Sequence, residues 1–390
     1  VTASRGPIVV FGIAFLYPLA GVTWQLLHFM VGLRRLGWDP YYVEDSSRWV
    51  YDAALGDFTP DPAGNIAAVV PALEAYGFAH RWASRAHALD GRCYGLSETR
   101  LRALYREAAA MVNVTGAQEV REDHRVCPRR LYLETDPVAT QIGVAEGDAK
   151  AIEQLAAHHQ LFTYGENFGR PDCGVPLERF TWHPTRQPVV LDFWPPATST
   201  PDAPFTTIAT WRHQNDRVYR GETYYWSKER EFLKILDLPR RCPATLELAL
   251  DITPDAAEAG PMLRAHGWQV VPAAGVSQEI AVYRDYIRNS RGEFTVAKDQ
   301  NVRLRSGWFS DRSATYLAAG RPVITQETGF SNILPTGRGL FGWRDADEIL
   351  AAVDAIATDY PGHCRAAREI AAEYFDAEKV LGAVLARAGL

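Results

Sequence analysis

Four side chains in the first half of the chain have the chemistry to take a proton from a hydroxyl group. Glu134 and Asp136 stand in the cluster Glu134-Thr135-Asp136-Pro137, Glu166 in Gly165-Glu166-Asn167, and His28 inside a long helical segment. The carboxylates follow the short apolar runs 130–133 and 161–164, and groups just past the ends of parallel strands point into the crevice where open α/β sheets hold ligands. A base must come within hydrogen-bond reach of its proton, so these four are the base candidates. The same carboxylates also suit capping of the turns that follow, as Asp136 before Pro137 shows. A lone helical histidine is more often a packing or surface residue, although imidazole is suited to base work near neutral pH.

The second half offers the complementary chemistry, binding of an anion. Arg212 follows the apolar run 206–210, and a guanidinium fork matches phosphate oxygens; a surface salt bridge is the competing role. Further on, Ser306-Gly307-Trp308-Phe309-Ser310-Asp311-Arg312-Ser313 leads into a short small-residue helix expected over 310–319 and stopped by Gly320. Ser310 offers an N-cap oxygen, and the free amides of the helix start form an anion site. Arg212, Ser306, Gly307, Phe309, Ser310, Asp311, Arg312 and Ser313 are the expected phosphate-binding set.

The elements that must position these groups alternate between strand and helix. A strand at 7–11, a loop at 12–20, a helix to about residue 36 and a strand at 41–43 make one βαβ unit, whose parallel sheet binds ligands at its carboxyl edge. Its loop lacks Gly-x-Gly-x-x-Gly and suits an acceptor better than a pyrophosphate. Phe15, Tyr17 and Trp24 beside it suit a flat or apolar acceptor, or core packing equally well. Strands are expected at 110–114, 130–133 and 161–164. Proline density over 170–204, with one strand at 188–193, marks a connector. A second αβ array follows, with strands at 206–210, 246–250, 268–271, 293–296 and 322–325, and helices at 254–265, 277–289, 345–356, 362–375 and 377–388.

At 390 residues two domains are expected. The division is 1–195, an acceptor-binding domain with its proline-rich connector; 196–370, a donor-binding domain; and 371–390, a terminal helix. A net charge of -6 argues against a nucleic-acid partner. The apolar run 8–20 is too short and broken to span a bilayer, and lacks a signal peptide's order. Cys93, Cys127, Cys173, Cys242 and Cys364 are scattered, without a Cys-x-x-Cys pair, as in a cytoplasmic protein with reduced thiols.

Ala318-Ala319-Gly320-Arg321-Pro322-Val323-Ile324 resembles the small-x-Gly-x-Pro-Val-Ile segment of the GT-B class of nucleotide-sugar glycosyltransferases. The loop from Ser306 to Arg312 lies where that class binds the donor diphosphate. Gly339-Leu340-Phe341 before an acidic helix resembles its usual ending. The resemblance implies two Rossmann-like α/β domains facing across a cleft, with a terminal helix returning to the first domain. It also implies sugar transfer from a UDP-, TDP- or GDP-sugar to a small-molecule acceptor, as in natural-product biosynthesis, without a metal or other cofactor. Thr315 stands where many retaining members carry a glutamate, and the His-x-Gly of inverting natural-product members is absent. Stereochemistry, sugar and homodimer formation therefore stay open, with a GT-B nucleotide-sugar epimerase and a noncatalytic nucleotide-binding subunit as the rival readings.

Overall fold

The apolar runs become the centres of two parallel sheets. A computed structural model of the chain describes residues 4–46, 48–52, 56–86, 91–197 and 202–390. The first sheet runs in the spatial order Trp182–Pro184, Gln160–Thr163, Arg130–Glu134, Ala110–Val114, Pro7–Phe11, Asp39–Glu44, Trp82–Arg85, Cys93–Gly95. All neighbours are parallel except the last pair. Pro7–Phe11 and Ala110–Val114 are buried along almost their whole length. Burial on both faces is why they read as unbroken apolar runs.

The second sheet is wholly parallel, in the order Gln269–Pro272, Leu246–Asp251, Phe205–Thr210, Gly292–Thr295, Val323–Gln326, Leu340–Trp343. In both sheets the chain begins in the centre, winds outward to one side, then returns to pair with the other edge of its first strand. That reversal opens a crevice at the carboxyl ends of the first and fourth parallel strands.

The domains meet through the first helix, Ala20–Arg35, which packs on Ile280–Asn289 of the second domain and on the last helix, Ala377–Arg387. Trp24, Leu27, Trp194, Tyr283, Phe309 and Phe375 share one buried core there, and Trp24 Nε1 donates to the Ile280 carbonyl at 2.9 Å. The last helix thus returns to the first domain. No helix among the described residues is long and apolar enough to cross a membrane, and all five cysteines are free thiols.

Several elements differ from the sequence expectation. No strand forms over 188–193: Val189 makes a single bridge to Asp376, and Leu191–Phe193 is a 3-10 turn. This run is apolar because it crosses between two cores, Val190 joining the first-domain core and Val189 the interdomain core. Val189 donates to the Phe375 carbonyl at 2.7 Å and accepts from Ala377 at 3.0 Å, tying both crossings together. The expected helix 254–265 splits into a Pro254–Ala256 turn and Ala259–Ala265, and 277–289 into Ala274–Ser277 and Ile280–Asn289. Residues 198–201 of the connector lie outside the described residues. Two antiparallel ribbons, Val50–Asp52 with Asp57–Thr59 and Arg217–Tyr219 with Glu222–Tyr224, are too short to show an alternation in the sequence.

Past the Asp39–Glu44 strand, the fully buried Asp45 anchors a charge network. Its carboxylate accepts from Arg85 at 2.6 and 2.9 Å and from Tyr105 Oη at 2.8 Å, with Arg121 and His124 also in contact. Asp45, Asp123 and His124 lie close enough to bracket a cation. Two guanidiniums already occupy that position, so the cluster reads as a structural pin.

Candidate active site

The crevices of the two sheets face each other and enclose a cavity of about 440 Å³. From the first domain, Ile13, Thr115 and Thr135 line it from just beyond their strands. From the second, Ile208 to Thr210 and Asp251 line it from the carboxyl ends of their strands and Lys298 from beyond Gly292–Thr295, joined by Ser310, Asp311 and Arg312 at the start of the Asp311–Ala318 helix. Both crevices therefore contribute to one site.

Its second-domain wall is positive. Ser310 occupies the N-cap of Asp311–Ala318 with extended backbone, as expected, but its side chain makes no capping hydrogen bond. The first-turn amides are thus not taken up by the cap and are available to an anion. Arg312 is held in the wall by its Nε donating to Glu293 Oε1 at 2.6 Å, by Nη2 donating to Thr295 Oγ1 at 3.1 Å, and by a bond to the Ile208 carbonyl. Lys298 pairs with Asp136 of the first domain and lies 3.7 Å from the Trp226 ring centroid.

Neither Lys298 nor Lys228 is among the residues singled out from the sequence. Lys228 lines the cavity at 9% exposure, and among the described residues no carboxylate lies within 4.0 Å of its ammonium. Burial first, and then the neighbouring Arg312, push its pKa well below the lysine range. Its Nζ lies 6.0 Å from the Trp308 ring centroid, and a buried ammonium with an aromatic face but no counter-charge is costly in the free protein. Lys228 stands at the N-cap of the short helix Glu229–Lys234. Only the Arg217–Tyr224 ribbon, which loops out after the Phe205–Thr210 strand, brings it back under the cavity.

The sequence-named residues separate into three groups. Ser310, Asp311 and Arg312 line the cavity, with burial raising Asp311 to about 6 and Gln25 of the first helix donating to it at 3.1 Å. Asp136 reaches the cavity's edge through Lys298, and its Oδ1 is buried without a partner. The others point elsewhere.

Ser306 Oγ donates to Asn301 Oδ1 at 2.7 Å, and Gly307 lies against Asn167 with φ of 81°. A Cβ there would stand 2.3 Å from the Asn167 amide nitrogen, so this glycine serves close interdomain contact. Phe309 packs on Phe330 and Phe375, and Ser313 is fully buried. Arg212 donates to Glu229 at 2.6 Å in a separate depression beside the cavity.

Among the base candidates, Glu166 is paired with Arg186 at 2.5 Å. Glu134 accepts from Gln141 and Thr163, each at 2.8 Å, and burial raises it to about 7. It does not line the cavity, and its Oε1 has no partner. His28 is buried in the interdomain core, where the Val190 amide approaches Nδ1 at 3.0 Å and Trp194 Nε1 approaches Nε2 at 3.1 Å. Burial lowers it to about 3, so it stays neutral and packs instead of titrating.

No family model matches the sequence, and no curated protein does. Solved structures do match in fold. Sucrose-phosphate synthase from Thermosynechococcus elongatus aligns at a TM-score of 0.52 and 14% identity, over 98% of this chain and 99% of that one. HepE of Anabaena, solved with UDP and glucose, aligns at 0.56 and 10% identity, over 98% of this chain and 100% of that one. An alpha-glucosyltransferase in complex with UDP aligns at 0.57 and 10% identity, over 99% and 100%. The chain therefore has the two-domain GT-B fold from end to end.

Proposed function

We propose that the chain is a glycosyltransferase that holds a nucleotide diphosphate sugar in the 440 Å³ cavity and transfers its sugar to an acceptor hydroxyl. The observation that carries this reading is Lys228, an ammonium buried in the wall of that cavity without an ion-pair partner among the described residues. UDP in the structures that share the fold supports it, with UDP as the nucleotide to try before TDP or GDP. The acceptor is a small molecule on this reading, and natural-product biosynthesis is one setting that would use such a transfer.

The diphosphate sits at the start of the Asp311–Ala318 helix, between its open amides, Lys228 and Arg312. Charge develops on the leaving diphosphate as the glycosidic bond breaks, and donors already aimed at it need no reorganisation. These groups provide that stabilisation without calling on a metal. Asp136 is the base of this reading, because it is the sequence-named carboxylate paired with a cavity-lining cation. A bound diphosphate draws Lys298 toward itself and leaves Asp136 free to take the acceptor proton.

Asp136→Asn is expected to lower kcat by about 100-fold or more while UDP binds no more weakly, and more tightly to the extent that Lys298, released from its pair, turns to the diphosphate. Steady-state UDP release and calorimetry on the same preparation measure the two effects. The function itself is tested by incubating the protein with UDP-, TDP- and GDP-sugars and a library of acceptors, with mass detection of products. Nucleotide release with mass gain on an acceptor supports transfer. Sugar interconversion without an acceptor indicates an epimerase, and no turnover of any donor contradicts both.

A further inference from the structure

The ribbon Val50–Asp52 with Asp57–Thr59 stands at the first-domain side of the cavity mouth and is not used by the donor chemistry. Side chains alternate along it: Val50 is buried, whereas Tyr51 faces the other way, and Trp49 stands exposed just before the strand. Tyr51 is paired with Phe58 across the ribbon, their ring centroids 5.7 Å apart. Tyr17 from the first loop joins them, 6.2 Å from Tyr51 and 6.1 Å from Phe58. Phe58 is 44% and Trp49 53% exposed, a concentration of bare aromatic surface that packing does not explain.

Resting on the glycosyltransferase reading, we propose that this aromatic face is the acceptor subsite and that it takes a neutral polyhydroxylated ring, a carbohydrate or the sugar portion of a glycoside. Tyr51 belongs to the face and also lines the transfer cavity, so an acceptor stacked on the ribbon extends straight toward the donor. The platform is built in advance. Asn65 Nδ2 donates to the Phe15 carbonyl at 2.7 Å and to the Tyr51 carbonyl at 2.8 Å, and the Tyr51 backbone amide donates to the Leu16 carbonyl at 2.9 Å. The buried Glu44 carboxylate accepts from the Phe15 and Leu16 amides at 2.5 and 2.9 Å, fixing the loop behind it.

Charge selects the occupant. Asp52 and Asp57 lie on the ribbon and Asp251 on the facing cavity wall, with Arg48 as the nearby cation on the ribbon's own stretch. Aromatic faces stack on the C–H faces of a pyranose while carboxylates accept from its hydroxyls. A phosphorylated acceptor or an anionic bilayer meets the same carboxylates as repulsion, since membrane attraction requires a basic cluster. Phe15 and Trp24, which the sequence joined to Tyr17 as acceptor aromatics, are both buried in cores. Of those three only Tyr17 contributes to the platform.

The test is saturation-transfer NMR on the full-length protein, with UDP present, using methyl glucoside, methyl galactoside, methyl mannoside, cellotriose and maltotriose as probes. Phosphatidylglycerol vesicles serve as a separate probe in a sedimentation assay. The expected result is saturation of ring C–H protons in at least one saccharide. Phe58→Ala and Trp49→Ala should each weaken it roughly fivefold, Phe58→Trp should restore it, and UDP affinity should not move. The proposal is overturned if UDP binds but no saccharide is saturated, if saturation ignores both aromatic changes, or if vesicles bind in place of saccharides. Absence of UDP binding would remove the donor reading and this inference with it, and the UDP titration reports that outcome separately.

Discussion

Lys228→Met is expected to weaken UDP binding by roughly 10- to 100-fold and, in the same protein, to raise the stability of the free form by about 1 kcal/mol. The two effects have one cause. Folding places the Lys228 ammonium in a largely dry wall beside Arg312 and Lys298, which lowers its pKa and costs free energy until an anion arrives. Methionine keeps the apolar stem and removes the charge, so the free protein gains while the complex loses a charge-assisted hydrogen bond.

The sign of the pH dependence follows. Bound diphosphate raises the Lys228 pKa again, so between the free and bound values UDP binding takes up a proton and affinity falls as pH rises. Asp311 acts in the same direction, because burial already raises it to about 6 and a neighbouring phosphate raises it further. Titration calorimetry in buffers of different ionisation enthalpy reads this uptake directly. Lys228→Met should reduce it, and an unchanged uptake together with unchanged affinity would remove Lys228 from the site.

Asp45→Asn is expected to cost about 3–5 kcal/mol of stability, because it leaves the Arg85 guanidinium, 2% exposed, without its main counter-charge. Burial opposes the Asp45 anion, but His124, Arg85 and Arg121 outweigh burial and hold its carboxyl far below the usual range. For a depressed carboxyl the stabilisation is present above the unfolded pKa of about 4 and is lost as pH falls toward the folded value. Wild-type stability attributable to this network should therefore persist through mild acid, and the difference from Asp45→Asn should shrink only below about pH 4. Denaturant melts at pH 7 and pH 3 measure it. Equal destabilisation at both would show that packing, not charge, is what the variant loses.

The fold was legible wherever burial on both faces of a strand left an unbroken apolar run, as at Pro7–Phe11 and Ala110–Val114. It was illegible where an apolar run serves another purpose, as at Val189 and Val190, which cross between cores. The start of the Asp311–Ala318 helix could be read because an N-cap serine, small residues and a terminal glycine are local signals. The direction in which neighbouring side chains point is not local. The Ser306 hydroxyl turns to Asn301, while the Ser306 carbonyl and the Gly307 backbone meet Asn167 of the other domain, a contact between residues far apart in the chain.

Lys228 was missed for the same reason, since its place depends on a ribbon of three-residue strands. Glu293 in the buried central strand Gly292–Thr295 is a more local signal, since a buried carboxylate requires a cation, which Arg312 supplies at 2.6 Å.

The most direct measurement is a crystal structure of the protein with UDP. The account predicts the diphosphate within hydrogen-bond distance of Lys228 Nζ and of the amides that open the Asp311–Ala318 helix, with Arg312 still held by Glu293. A nucleotide bound outside this cavity, or a diphosphate that leaves Lys228 without an anionic partner, would contradict it.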